Sequence, residues 1–150
     1  MTAALDTHLS EHQLVARMAR DDRSALQSLY EAYYPHLYKL FAHLAVTKER
    51  QEIEQLVEDT MMEVWLSRNS FIATRSVYAW IMRKALNQPF HSRPEQSSLL
   101  KTLTTAERAV VHFVYTGHSR KQIAEILEVN PDDVDELLYQ ARARMRPTGH

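Results

Sequence analysis

The chain is predicted to be all-α, and three observations carry that expectation. It holds only two glycines, too few for the tight hairpin turns on which sheet proteins draw. It has few alternating β-branched runs, and its apolar residues recur instead at three- and four-residue intervals. Its 150 residues, 45% of them hydrophobic, supply a packed core for one ordinary domain or two small ones. The absence of cysteine excludes a disulfide framework and a thiolate metal site, and it fits a reducing compartment. No apolar run approaches the ~20 residues of a membrane span, and the N-terminus lacks a basic and then apolar leader pattern. A soluble, cytoplasmic protein with no membrane insertion is therefore expected. With 18 basic against 19 acidic residues the net charge is −1, so attraction to nucleic acid must come from local patches.

Residues 1–9 read as a flexible tail. Ser10 with Gln13 is a capping-box pattern ahead of a short helix carrying Leu14, Val15 and Met18. Asp21-Asp22 starts the next helix, on which Leu26, Leu29, Tyr30, Tyr33, Leu37, Leu40, Phe41 and Leu44 share helical spacing. Pro35 is expected to kink that helix or begin a new one near Tyr34, because it lacks a backbone donor and crowds the preceding turn. His36 and His43, seven apart, read as interfacial packing residues.

After a polar connection comes I-E-Q-L-V-E-D-T-M-M-E-V-W, Ile53 to Trp65. On a 3.6-residue wheel Ile53, Leu56, Val57, Thr60, Met61 and Val64 fall on one side with Trp65 at the edge, and Gln55, Glu58 and Met62 fall opposite. The outer face is thus acidic with one exposed methionine, which suits either plain solvent or a partner surface. Ser67 to Thr74 is a break containing Arg68, Asn69, Phe71 and Ile72. It leads into a helix from Arg75 to Asn87 on which Arg75, Arg83 and Lys84 interleave with Tyr78 and Trp80. Cations among aromatic faces suit single-stranded nucleic acid, whose bases stack while its phosphates meet charge. The same pattern also suits core aromatics with solvated basic neighbours.

These segments make a first domain at 10–87, and 88–100, with its prolines and no helical period, is the linker. The second domain, 101–150, opens with the capping box Thr104 to Glu107 before Ala109, Val110, Phe113 and Val114, and its first helix stops at Gly117. Ser119 with Gln122 caps a short helix carrying Ile123, Ala124, Ile126 and Leu127. Asn130-Pro131 starts a last helix with Val134, Leu137, Leu138, Ala141 and Met145 inward. Short helix, tight turn and longer helix form a helix-turn-helix, which either reads DNA or merely packs.

Taken in order, from about Ser24 to Arg146, these segments resemble the extracytoplasmic-function sigma factors, the short two-domain specificity subunits of bacterial RNA polymerase. The resemblance rests on L-Y-E-A-Y-Y-P-H-L-Y (Leu29 to Tyr38), on the Ile53 to Trp65 stretch and on A-W-I-M-R-K-A-L-N (Ala79 to Asn87). It continues in L-T-T-A-E-R-A-V-V (Leu103 to Val111), S-R-K-Q-I-A-E-I-L (Ser119 to Leu127) and A-R-A-R-M-R (Ala141 to Arg146). It implies a region 2-like helical bundle and a region 4-like helix-turn-helix. It further implies that Glu54, Gln55, Glu58, Asp59 and Met62 dock on the clamp helices of the largest subunit of core RNA polymerase. Arg68, Asn69, Arg75, Tyr78, Trp80, Arg83, Lys84 and Asn87 would melt and hold the minus-ten strand of promoter DNA. Ser119, Arg120, Lys121, Gln122, Tyr139, Arg142 and Arg144 would face the minus-thirty-five duplex. An anti-sigma factor is the further partner implied; no enzyme activity, cofactor or metal is.

The sequence departs from that family in two places. Its last helix reads D-D-V-D-E-L-L-Y-Q-A-R where the family presents basic and small polar residues, so Asp132, Asp135 and Glu136 place carboxylates toward phosphates, the wrong sign for tight backbone binding. Its linker of about 11 residues reaches at most ~35–40 Å, little more than one DNA turn of about 34–36 Å. Two other readings compete. A LuxR-type regulator shares the L-T-x-x-E-R and S-x-K-x-I-A patterns, and a sigma-like interaction protein would keep the polymerase-binding helix without conventional duplex reading. His8 with His12 has zinc-pair spacing but no supporting ligand set, and no Gly-rich phosphate loop exists.

Overall fold

A computed structural model describes residues 2–45, 49–89 and 104–145. Among them are seven α-helices and no strand: α1 (Thr2–Ala19), α2 (Arg23–Leu44), α3 (Arg50–Leu66), α4 (Val77–Leu86), α5 (Thr105–Tyr115), α6 (Arg120–Leu127) and α7 (Pro131–Met145), with a 3-10 turn at Arg68–Ser70. Apart from Gln88 and Pro89, the predicted linker lies outside the described residues. The backbone of 2–9, expected as a tail, winds as helix up to a break at Ser10, where φ is 100°. Residues 11–19 then carry Val15 and Met18 into the core.

Local sequence explains most helix ends. Asp22 caps α2 by accepting from the Ser24 N–H at 3.0 Å, and Ser76 caps α4 by accepting from Ala79 N–H at 3.0 Å. Both predicted capping boxes of the second domain form, at Thr104/Glu107 and at Ser119/Gln122. Gly117, at φ 92°, ends α5, with its own N–H bonded to Val114 O and the His118 N–H to Phe113 O. That paired arrangement is a Schellman stop, which needs the left-handed backbone glycine adopts freely.

Pro35 does not divide α2, contrary to the restart expected near Tyr34. A single helix runs through it, with Tyr33 and Leu37 buried on either side. Pro35 and Glu31, whose carbonyl loses its partner, both face solvent, so water satisfies the freed acceptor while the buried stripe keeps the helix continuous.

In the first domain α3 packs against both α2 and α4, while α1 lies across α2. In the second, α7 packs on α5 and α6. The two domains do not stand apart: α5 meets α2, α6 meets α4, and one continuous apolar cluster runs from Val15 through Phe41 and Ile81 to Phe113 and Ile126. Buried Arg108 of α5 donates to Leu44 O at 2.7 Å, placing a cation on the negative C-terminal end of α2.

Candidate polymerase and nucleic-acid interfaces

On α3 the wheel is reproduced: Ile53, Val57, Thr60, Met61 and Val64 are buried. The Thr60 hydroxyl is satisfied inside the helix by donating to Leu56 O at 2.8 Å. Gln55, Glu58, Asp59 and Met62 are exposed, and Gln55 donates to Asp59 at 2.9 Å. Met62 is 54% exposed, and Leu66, one turn on, is 67% exposed, so the apolar feature is a ridge rather than a single side chain. Glu54, one turn before Glu58, is half-buried and engaged within the domain. It accepts from the Tyr34 hydroxyl at 2.9 Å and from Arg50 at 3.1 Å, and these two bonds hold its carboxyl below the usual carboxylate range.

The second region lies where the loop after α3 meets α4. A cleft of about 230 Å³ is lined by Phe71, Arg75, Trp80, Arg83, Lys84 and Glu128, with Asn87 at its edge. Trp80 is largely buried and tilted against Phe71, ring centroids 5.0 Å apart. The cleft therefore has an aromatic floor and cationic walls, the combination that holds a base and its phosphate. Arg83 donates to Glu125 O at 2.8 Å and Ile126 O at 3.2 Å, and lies 3.6 Å from the Glu128 carboxylate. Lys84 approaches Glu63 at 3.9 Å.

The other residues expected here lie elsewhere. Tyr78 turns to the second domain, stacking on His118 and hydrogen-bonding its Nε2. Arg68 lies over the Trp65 ring at 4.1 Å and pairs with Asp21 at 2.8 Å, so it braces the loop against the end of α1. Asn69 is exposed on the 3-10 turn.

In the helix-turn-helix, Ser119 and Gln122 are committed to capping each other's backbone, at 3.1 and 2.8 Å. Arg120 is held by two carboxylates of α7, Asp132 at 3.4 Å and Asp135 at 3.1 Å. Arg144 reaches back to buried Glu107 at 2.8 Å. Lys121, Tyr139 and Arg142 face solvent, with Tyr139 68% exposed. The acidic last helix thus acts on its own domain, neutralising the arginine that precedes it.

Residues 29–88, which contain both the α3 face and the α4 cleft, match the family model of Sigma-70 region 2. That stretch is a sigma-70 region 2 domain. The fold of the chain is also that of a solved structure, "Structure of CnrH in complex with the cytosolic domain of CnrY", at a TM-score of 0.74 and 22% identity over 90% of this chain and 94% of that one. No curated protein sequence matches the chain. Region 2 followed by a helix-turn-helix domain is the layout of the extracytoplasmic-function type. A LuxR-type regulator is not favoured, because a region 2 bundle has no place in one.

What sequence reasoning missed lies between the two helical units. His43 Nδ1 meets His112 Nδ1 at 2.7 Å, so one ring donates and the other accepts. His118 Nδ1 lies 3.1 Å from Phe113 O, which leaves Nε2 to accept the Tyr78 hydroxyl proton and makes the ring neutral. Burial, and then the neighbouring His43, His118 and Lys39, push His112 down to about 3. His118 is lowered too, chiefly by burial. Burial pushes the Tyr78 hydroxyl up to about 12, with Glu11 adding to it. Of the two histidines expected as interfacial, His43 belongs to this seam, while His36 is exposed against the Tyr78 ring of its own domain, at a crevice it lines with His112 and His118. Among the described residues no group of three or more acidic, His or Cys side chains is arranged to hold a metal ion. Leu66 was legible as the i+4 neighbour of Met62, whereas Ile72, 56% exposed in the loop, carried no periodic signal.

Proposed function

We propose that this chain is a sigma factor, which docks on the clamp helices of the polymerase largest subunit through the outer face of α3 and takes up the minus-ten strand in the α4 cleft. Glu58, Asp59 and Gln55 supply the acidic and polar rim, and Met62 with Leu66 the apolar centre. The observation that carries this reading is that exposed ridge on an otherwise acidic helix, since a solvated face gives no reason for two large apolar side chains one turn apart. Trp80 with Phe71 offers the stacking surface, and Arg75, Lys84 and Asn87 the polar contacts. The role is that of a non-enzymatic initiation factor working beside the polymerase in the cytoplasm. Among the described residues no helix is long and apolar enough to cross a membrane, in keeping with that place.

In the second domain, duplex contact falls to Lys121, Tyr139 and Arg142, because Arg120 is neutralised and Ser119 and Gln122 are spent on caps. Grip on a minus-thirty-five element is accordingly weak. The likeness to a chain solved with the cytosolic domain of CnrY supports a comparable anti-sigma partner here.

The decisive test is co-purification with core polymerase. Met62→Asp combined with Glu58→Lys abolishes it on this reading while the circular dichroism spectrum and melting temperature stay native, because both side chains are exposed. Retained co-purification rejects the α3 docking face.

A further inference from the structure

We infer that the cavity between the end of α2 and α5 is a binding site for a small monocarboxylate on an apolar body, as a medium-chain fatty acid or an aryl acid supplies. Neither polymerase docking nor strand binding, as proposed, uses its residues. The cavity holds about 400 Å³, at the small end of the ~300–1,000 Å³ that ligand pockets span, and Ala42, Leu44, Val111 and Tyr115 give it apolar walls. Its polar lining is Arg108 and the hydrogen-bonded His43–His112 pair.

Arg108 marks the cavity as more than a packing gap. It is only 8% exposed, and its guanidinium is a fixed fork of N–H donors. Nη2 donates to Leu44 O at 2.7 Å, while Nε is buried without any hydrogen-bond partner. No carboxylate among the described residues pairs with it, whereas its neighbour Glu107, buried too, has Arg144 at 2.8 Å. The C-terminal end of α2 offers roughly half a negative charge, so about half of the cation stays uncompensated where a missing counter-charge costs most. Burial pulls its pKa below the ordinary guanidinium value for the same reason. The charge balance also selects the class of ligand. Leu44 and Tyr115 end α2 and α5 and both line the cavity, so two negative helix ends border it. They oppose a multiply charged anion such as a nucleotide, and a single carboxylate matched to one guanidinium is what remains. The histidine pair adds a donor, since of two rings joined Nδ1 to Nδ1 the one that accepts carries its proton on Nε2. The apolar body lies along Leu44 and Val111 and covers part of the Tyr115 ring, which is 85% exposed.

The test uses the full chain with octanoate, with octanol, which keeps the apolar body without the charge, and with acetate, which keeps the charge without the body. In isothermal titration octanoate is expected to bind at a single site, and octanol and acetate at least roughly tenfold more weakly. Val111→Trp fills the cavity from a half-buried wall position and should abolish octanoate binding while the melting transition stays cooperative. Arg108→Met should weaken it roughly tenfold. That variant also loses the bond to Leu44 O, so should it fail to fold, Val111→Trp and the native chain decide. In amide chemical-shift maps of the native chain, octanoate is expected to move Leu44, Val111 and Tyr115. Shifts centred on Met62 and Leu66 instead mean adsorption to the exposed α3 ridge and overturn the inference, as does octanol binding as tightly as octanoate, or octanoate binding unchanged in Val111→Trp. No octanoate binding at millimolar concentration overturns it too, and leaves the charge of Arg108 to a carboxylate side chain of a protein partner.

Discussion

The outer faces of α3 and α7 are both acidic, yet their surroundings differ. On α3 the carboxylates of Glu58 and Asp59 surround an uncovered apolar ridge, Met62 and Leu66. On α7 the carboxylates of Asp132 and Asp135 are directed at Arg120 of the preceding helix, and the nearby exposed ring is Tyr139. Charge alone therefore does not distinguish a face with uncovered apolar area from a self-neutralised one. The distinction lies in whether the acids have a cation in their own domain and whether apolar area is left beside them.

The largest effect should come from breaking the ridge. Leu66→Asp is expected to weaken core-polymerase binding by roughly 30-fold or more, as loss of a central apolar anchor does, measured by surface-immobilised titration; an unchanged affinity would confine docking to the acidic residues.

Next comes the seam that holds the two faces in one relation. His112 is neutral in the folded protein because its value is depressed to about 3, against an ordinary 6.5, chiefly by burial. A depressed histidine contributes stability that is complete above its unfolded value and is lost as pH falls through and below it. Folded stability should thus fall below about pH 6.5, by up to ~1.4 kcal/mol per pH unit. The melting temperature, followed from about pH 7.5 to 5.5, should fall in the native chain and respond less steeply in His112→Gln. Equal responses in both would assign the change to other groups.

A smaller effect is expected from making the α7 face resemble a phosphate-binding one. Asp135→Lys with Glu136→Ser should raise duplex DNA affinity about fivefold and steepen its salt dependence by roughly one phosphate contact. A flat affinity in a filter-binding titration would show that the acids are not what limits it. Smallest of all is Arg120→Ala. It removes only half-exposed ion pairs, so its melting curve should shift by no more than about 1 kcal/mol equivalent.

How far these features were legible depends on the range of the interactions that create them. The helices, the two capping boxes, the glycine stop and the buried stripe of α3 are all set by residues within one or two turns, where spacing maps directly onto geometry. The restart expected at Pro35 does not occur, because burial of Tyr33 and Leu37 on either side keeps one helix running through it. Arg68 and Trp80 were legible as residue types but not as placements. Arg68 is committed to Asp21, a partner 47 positions away, and Trp80 forms the floor of a cleft rather than an exposed stacking ring.

From the sequence alone came the all-α class, the order of the elements, the sigma-like segments and the outward set of α3, because amphipathic period and cap chemistry are properties of contiguous residues. Only the tertiary structure decided which cations remain open to a ligand. Arg83 and Glu125 are 42 positions apart, and His43 and His112 are 69 apart. Whether such groups meet depends on how one helix pair seats on another, and hydrogen bonds that act over about 3 Å carry no trace of themselves in the linear order.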